Sequence, residues 1–180
     1  KPMAARVRHG LTRTFQINTL FPDLTPIEAV TLAVCEREGT AGQFWRALAA
    51  QREAIEEAHA ILGQLGLADA ATRTTRTLAY GQQRLLEIAL ALATRPRVLL
   101  LDEPAAGVPK DESAMLFSVI AALPQDISVL FIEHDMNIVF SFATRIIVLV
   151  SGGVLLEADP ETVRTDPRVR EVYLGKAGHA

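Results

Sequence analysis

The sequence predicts an α/β fold with a mostly parallel sheet flanked by helices. Three short apolar runs, at residues 98–101, 128–132 and 146–150, have the composition of buried strands. A single segment with helical character separates each run from the next, and strands joined in this way form βαβ units. A chain of 180 residues is long enough for one domain with a sizeable core. We therefore expect a layered core built around parallel strands.

The stretch from residue 25 to residue 67 is predicted to be helical. Pro26 suits the first turn of a helix, with Asp23 and Thr25 as candidate caps. A longer amphipathic helix is predicted for residues 43–65. Further elements are predicted downstream: a helix ending at Ala93, helices at residues 111–123 and 136–143, and a hairpin turn at residues 151–153.

Composition and charge exclude several classes of protein. The formal net charge is −3 and the basic residues are scattered, whereas nucleic-acid binding requires a basic stripe. No apolar run approaches the roughly 18 residues that a membrane span needs, and residues 1–11 lack the apolar core of an export signal. The single cysteine, Cys35, excludes an internal disulfide. We predict a protein that binds no nucleic acid and crosses no bilayer.

Two adjacent acids, Asp102 and Glu103, directly follow the first apolar run. Ligands of open parallel sheets bind just beyond the carboxyl ends of the strands. At this position Asp102 can hold Mg²⁺ while nucleotide phosphates supply further ligands, and Glu103 can orient the water that attacks a γ-phosphate. The alternative is an exposed acid pair that only caps the next turn. The apolar strand in front of the pair favours the nucleotide site.

A glycine turn lies ahead of the helix that ends near Ala93. Gly81 permits close approach of the backbone to a ligand, and the free N–H groups of a helix start attract anions. The alternative is a plain helix start with a glycine near its cap. The order of the elements favours an anion site, because the helix, the turn Arg95-Pro96 and the acid-bearing strand follow one another without a gap.

Four segments resemble, in the expected order, the motifs of the ATP-binding-cassette (ABC) ATPases. Thr14-Phe15-Gln16 is similar to their glutamine loop, and Leu78-Ala79-Tyr80-Gly81-Gln82 resembles the signature leucine-serine-glycine-glycine-glutamine. Residues 98–103 resemble the Walker B strand with its glutamate, and Ile132-Glu133-His134-Asp135 resembles the switch-histidine loop. The resemblance covers nearly the whole chain. It implies a P-loop NTPase-like, three-layer core with a mostly parallel sheet and an ABC-type α-helical subdomain.

The subgroup is indicated by further residues. Tyr80, in a signature position where most cassettes carry another residue, resembles the subunits that drive branched-chain amino acid import. So do residues 13–16, 21–25 and 102–107, and the tail from residue 166 to 175. Importers of urea and other amides share these features, so both substrate classes stay open.

The resemblance also implies a division of the chain into four parts. Residues 1–24 would be the end of the core with the glutamine loop, and residues 25–94 the helical subdomain with the signature. Residues 95–158 would be the RecA-like core, and residues 159–180 a C-terminal helical extension.

The ligands and site residues implied by the resemblance are those of an ATPase that uses Mg²⁺. Gln16 and Asp102 would contact the metal, Glu103 would act as the base, and His134 would hold the γ-phosphate. The signature residues would contact nucleotide bound by a second ATPase subunit: Ala79, Tyr80, Gly81 and Gln82. The implied partners are transmembrane permease subunits and, indirectly, a periplasmic or extracellular substrate-binding protein. The implied location is peripheral, on the cytoplasmic face of the plasma (inner) membrane.

Three features depart from the family pattern. The 180 residues contain no G-x-x-x-x-G-K-[ST] phosphate loop, and in the family that loop and the N-terminal strands lie upstream of a position such as Lys1. The chain by itself is therefore expected to be a fragment that does not bind ATP with useful affinity. Ala79 stands in place of the signature serine, and Pro109 in place of an aspartate that follows Walker B.

Two other classes of protein are alternatives to an importer ATPase. Ala79 and the missing loop favour a non-catalytic, cassette-like interaction module, whereas the intact set Gln16, Asp102, Glu103 and His134 disfavours it. A cassette ATPase of DNA repair or chromosome structure would need long coiled-coil arms between glutamine loop and signature. The stretch from residue 16 to residue 78 is too short for such arms.

Overall fold

The computed structural model describes residues 6–7, 9–14, 20–40 and 51–173, with residues 110 and 111 described for their backbone only. The chain divides into two compact units, Lys1–Ile132 and Glu133–Ala180. This division follows contacts within the fold, whereas the four parts predicted above follow motifs. Those four boundaries stay a prediction.

A three-stranded parallel sheet lies in the first unit. Strand β1 (Leu11–Arg13) pairs with β2 (Val98–Asp102), and β2 pairs on its other side with β3 (Ser128–Ile132). The register places Asp102 opposite Ile132, so the carboxyl ends of β2 and β3 lie at the same edge of the sheet. The predicted α/β fold with parallel strands is confirmed.

The first unit also contains four helices in its described part, and the first two lie in the predicted helical stretch. They are α1 (Pro26–Arg37), α2 (Arg52–Gln64), α3 (Tyr80–Leu92) and α4 (Lys110–Ala121), with 3₁₀ turns at Ala68–Ala70 and Thr75–Thr77. The helix predicted at residues 43–65 is described only from Arg52 onward, and its residues 43–50 lie outside the described residues. Helix α4 ends two residues earlier than predicted, ahead of Pro124.

The start of α1 shows which candidate cap is used. The Thr25 side chain accepts a hydrogen bond from the backbone N–H of Glu28, and the Glu28 carboxylate accepts one from the Thr25 N–H at 2.8 Å. This reciprocal pair is a capping box, which satisfies two donors that a helix start leaves open. Thr25 is therefore the cap, and Asp23, the other candidate, is not.

Along β3 one face of the sheet is half-buried and the other is exposed. Phe131 contacts Phe117 of α4 edge to face, with ring centroids 5.1 Å apart. On the opposite face Leu130 and Ile132 are 53% and 61% exposed. The prediction that residues 128–132 form a buried strand is therefore wrong. In the described part of this unit, α4 covers only one face of β3, and the side chains on the other face are exposed.

A carboxylate on α2 joins the helical region to the strand that carries the acid pair. Arg37, at the end of α1, donates to Glu57 Oε1 at 2.6 Å and Oε2 at 2.8 Å, and also to the carbonyl of Ala93 at 2.8 Å. Arg95, just ahead of β2, donates to the same carboxylate at 2.9 and 3.2 Å. Hydrogen bonds from Arg37 and then Arg95 lower the pKa of Glu57, against the effect of burial.

The second unit consists of a hairpin and short helices. Its elements are α5 (Met136–Phe142), β4 (Ile146–Val150), β5 (Gly153–Ala158), α6 (Pro160–Thr165) and α7 (Pro167–Tyr173). Strands β4 and β5 pair antiparallel, which confirms the predicted hairpin. The expectation that residues 146–150 join the parallel sheet through a βαβ unit is wrong, since among the described residues β4 pairs with β5 alone. Ile147 and Leu149 of β4 are exposed, so the strand predicted as buried is buried on one face only, since side chains alternate across a strand. The Tyr173 hydroxyl donates to the carbonyl of Leu149 at 2.8 Å.

A helix that crosses a bilayer needs about 20 consecutive, mostly apolar residues. In the ranges that the structure describes, no helix is both long enough and apolar enough to cross a membrane.

Candidate functional site

The two predicted acids lie at the carboxyl end of β2. Asp102 is the last residue of the strand and Glu103 is the first residue beyond it. The Glu103 N–H donates to the carbonyl of Ile132 at 3.0 Å, and the φ of Glu103 is +46°. This left-handed conformation costs a non-glycine residue about 1–2 kcal/mol, and such strain is concentrated at functional sites.

The acids begin a tight loop that we call the acid loop, residues 103–108. Ala106 N–H donates to the carbonyl of Glu103 at 2.9 Å, and Val108 N–H donates to the carbonyl of Ala105 at 3.0 Å. Gly107 has a φ of +77°, which glycine adopts without the steric cost of a side chain. Two successive turns therefore connect Glu103 to the start of α4, so the position of Gly107 is coupled to that of Glu103.

Arg13 is a functional candidate that the sequence analysis missed. Its Nη2 donates to Asp102 Oδ2 at 2.6 Å, so a guanidinium lies on the carboxylate that the resemblance assigns to a metal. The signal was present in the sequence, since Arg13 directly precedes the glutamine-loop residues. Only the pairing of β1 with β2, however, brings Arg13 to the end of the acid-bearing strand.

The donor atoms at this edge fit a cation that a nucleotide brings with it. Among the described residues no group of three or more His, Cys, Asp or Glu side chains is arranged to hold a metal ion. Mg²⁺ in nucleotide sites typically keeps several waters and is held by one or two carboxylates together with phosphates. Asp102 offers one such carboxylate at this edge. Gln16, the other predicted metal contact, lies outside the described residues.

The signature turn, residues 79–82, starts helix α3. Ala79 is the N-cap residue, and its N–H donates to Gln82 Oε1 at 3.2 Å. Alanine has no side-chain acceptor, so half of a capping box is formed and the other half is missing. The remaining N–H groups at the start of α3 have no partner within the helix and are suited to an anion.

In this structure Gly81 lies close to another part of the protein, the side chain of Glu112. A Cβ built on Gly81 would lie 2.5 Å from Oε2 of Glu112, on α4. The contact is with the end of a flexible side chain, so a small side chain at this position requires only that the Glu112 carboxylate turn away. The close approach of Gly81 to a nucleotide stays a prediction.

Behind the signature turn lies a buried cluster that the sequence analysis also missed. Arg84 Nη2 donates to the Tyr80 hydroxyl at 2.7 Å, and Arg84 Nη1 donates to Glu87 Oε2 at 2.8 Å. The side chains of Arg84 and Glu87 are only 7% and 10% exposed. Burial raises the pKa of Glu87, and Arg84 offsets part of that effect. Spacings of three and four residues on one helix face were the available signal.

His134 belongs to the second unit, two residues after the end of β3. Its imidazole is exposed, and its Nδ1 lies 4.0 Å from Oε2 of Glu133, whose side chain is almost entirely buried. Asp135 caps α5 by accepting from the Asn137 N–H at 2.9 Å. The loop therefore presents an imidazole between a buried carboxylate and a capped helix.

Models of two protein families match the chain. The model described as ABC transporter matches residues 2–106, a range that contains the acid pair and the signature turn. The model described as branched-chain amino acid ATP-binding cassette transporter matches residues 154–179.

Curated relatives are transport ATP-binding proteins. The high-affinity branched-chain amino acid transport ATP-binding protein BraF of Pseudomonas aeruginosa is 42% identical over 177 residues, covering 94% of this chain and 69% of the relative. The protein of the same description named LivG, from Escherichia coli strain K12, is 40% identical over 178 residues with the same coverage. The chain thus spans about 69% of the length of these relatives.

Solved structures share the fold. The crystal structure of the ADP conformation of MJ1267, an ATP-binding cassette of an ABC transporter, superposes with a TM-score of 0.79 at 29% identity, covering 98% of this chain and 72% of that one. A nucleotide-free ATP-binding cassette from an ABC transporter superposes with a TM-score of 0.76 at 28% identity, covering 98% and 73%.

Proposed function

The chain belongs to the ABC transporter ATPase family, and on this basis we propose that it acts in the ATP-hydrolysing subunit of an importer for branched-chain amino acids. The observation that carries the proposal is the acid pair, with Glu103 held in a strained conformation at the carboxyl end of β2. The names of the relatives, together with the C-terminal match at residues 154–179, support the choice of substrate class.

In the proposed mechanism Glu103 orients the attacking water and accepts its proton. Asp102 and Gln16 would hold Mg²⁺, and Arg13 would then share or release the Asp102 carboxylate. When bound, the Mg²⁺ neutralises charge that develops on the phosphoryl oxygens. His134 donates a hydrogen bond to the γ-phosphate, where it stabilises the same charge.

The proposed working unit is a pair of ATPase subunits on transmembrane permease subunits, at the cytoplasmic face of the membrane. The signature turn of one subunit contacts nucleotide held by the other, through Ala79, Tyr80, Gly81 and Gln82. Because ATP then favours the closed pair and its products do not, binding and hydrolysis shift the population between two states. A substrate-binding protein outside the membrane delivers the cargo to the permease.

Uptake by the assembled transporter tests the proposed function. We expect vesicles that contain the complex and internal MgATP to accumulate labelled leucine, isoleucine and valine, and to hydrolyse ATP faster when substrate is delivered. Uptake of urea or short amides in place of these amino acids would assign the complex to the amide importers. A complex that neither transports nor hydrolyses ATP would support the non-catalytic module instead.

Replacing Ala79 by serine is expected to have two separable effects. A serine hydroxyl can accept from the Gln82 N–H and complete the capping box, which adds about 1 kcal/mol to the free energy of unfolding without nucleotide. In the assembled ATPase the same hydroxyl can donate to the γ-phosphate and tighten the ATP-bound pair by up to about 1.5–3 kcal/mol. Thermal unfolding and ATP-dependent dimerisation measure the two effects. A stability gain with unchanged dimerisation would show that the hydroxyl serves only as a cap.

A further inference from the structure

The signature turn and the acid loop of the same chain are in direct contact. A Cβ built on Gly107 would lie 3.1 Å from Cε1 of Tyr80, 3.4 Å from Cζ and 3.5 Å from the hydroxyl oxygen. The phenol ring therefore packs against the backbone of Gly107. Since Gly107 also has a φ of +77°, both the conformation and the space at this position require glycine.

The tyrosine ring is itself held from behind. Arg84 donates to its hydroxyl at 2.7 Å and also lies over the ring, with the guanidinium carbon 5.0 Å from the ring centroid. Glu87 anchors the other side of the guanidinium at 2.8 Å. Arg84 and Glu87 are both at least nine-tenths buried, and bonds between charged groups in such surroundings are strong and directional.

A short path of backbone bonds in the acid loop connects Gly107 to Glu103. Its two turns are closed by the bonds from Ala106 to Glu103 and from Val108 to Ala105. Glu103 is strained and held on its other side by one backbone bond to Ile132, at 3.0 Å. A loop fixed in this way has few ways to absorb a shift at Gly107 without moving Glu103.

We propose that Tyr80 and Arg84 are positioning residues for Glu103, acting through the contact of the tyrosine ring with Gly107. This inference rests on the proposed ATPase function and deepens it. It gives the tyrosine of the signature turn a role within its own chain, so that a movement of the signature turn is passed to the acid that activates water.

The test uses Tyr80→Phe in the assembled transporter, since phenylalanine keeps the ring against Gly107 and removes only the bond to Arg84. We expect kcat for ATP, counted per folded molecule, to fall about 3- to 10-fold, the range that a single hydrogen bond spans, with KM little changed. The melting temperature should fall as well, because the buried guanidinium of Arg84 loses one partner. The matched control is Tyr173→Phe, which removes another tyrosine hydroxyl bond, to Leu149 at 2.8 Å, in the other unit. That variant should keep wild-type kcat.

A double-mutant cycle distinguishes positioning from direct nucleotide contact. If Tyr80 acts through Glu103, adding Tyr80→Phe to Glu103→Gln should cause no further loss in the single-turnover rate, since coupled residues are non-additive. Losses that multiply would overturn the proposal, as would wild-type kcat in Tyr80→Phe. A wild-type complex without ATPase activity would instead refute the proposed function, so the two failures are distinguishable.

Discussion

Replacing Glu103 by glutamine is expected to lower the rate of ATP hydrolysis by the assembled transporter about 10²- to 10⁴-fold, the contribution of a positioned general base. Glutamine has nearly the same shape and can occupy the same left-handed backbone, but it cannot accept the proton of the attacking water. Asp102 is unchanged, so the nucleotide with its Mg²⁺ should still bind. The measurement is phosphate release under single-turnover conditions, with nucleotide binding followed in parallel.

The control for this variant is Glu56→Gln, which removes a carboxylate from an exposed ion pair on α2. We expect it to hydrolyse ATP at the wild-type rate. Hydrolysis by Glu103→Gln within about tenfold of wild type would contradict the role of the base, since a lost base costs at least 10²-fold. Loss of nucleotide binding along with hydrolysis would also contradict it, because the variant would then have disrupted the site as a whole.

Replacing Glu57 by alanine is expected to lower the free energy of unfolding by about 2–3 kcal/mol, somewhat less than the loss for a fully buried pair. Arg37 and Glu57 have side chains that are only 16% and 24% exposed, so removing the carboxylate leaves a largely buried guanidinium without its main partner. The bonds to Arg95 are lost as well. Denaturant unfolding measures the change.

The neighbouring variant Glu56→Ala is the matched control, on the same helix with the same change in helix propensity. The Glu56 side chain is 63% exposed and pairs with Arg52 at 2.8 Å, so its loss should cost less than about 0.5 kcal/mol. Equal losses for the two variants would contradict the role of the Arg37–Glu57–Arg95 cluster.

The contribution of Glu57 should also depend on pH. The pKa of Glu57 is lower in the folded chain than its usual value, mainly through the hydrogen bonds from Arg37. Its contribution to stability is therefore fully present above the pKa of the unfolded chain, near 4.3 for glutamate, and is lost as the pH falls through the folded value. The difference between wild type and Glu57→Gln should shrink below about pH 4.

The elements with strong local signals were predictable from the sequence. The apolar run ending in two acids gave the strand Val98–Asp102, and the glycine pair after residue 150 gave the hairpin into Gly153–Ala158. The exposure of one face of β3 was not predictable. Leu130 is apolar, yet it is exposed because burial depends on what covers a strand, and α4 lies only on the other face among the described residues.

The parts of the site formed by neighbours in the sequence were predictable. The parts formed by residues that only the fold brings together were not. Asp102 and Glu103 are neighbours in sequence, and Tyr80 stands in a recognisable motif. The bond between Arg13 and Asp102 joins two residues that are 89 positions apart in the chain. They come together only because β1 pairs with β2, with Arg13 opposite Leu100. The contact of Tyr80 with Gly107 likewise requires the packing of α3 on the acid loop.

The left-handed backbone of Glu103, with its φ of +46°, lowers the stability of the fold at the residue that is proposed to act as the base. Glycine at this position would relieve about 1–2 kcal/mol of steric cost and would abolish the base. That gain is reduced by the greater conformational freedom of glycine in the unfolded chain, so the exchange would bring a small change in stability at the cost of the proposed base.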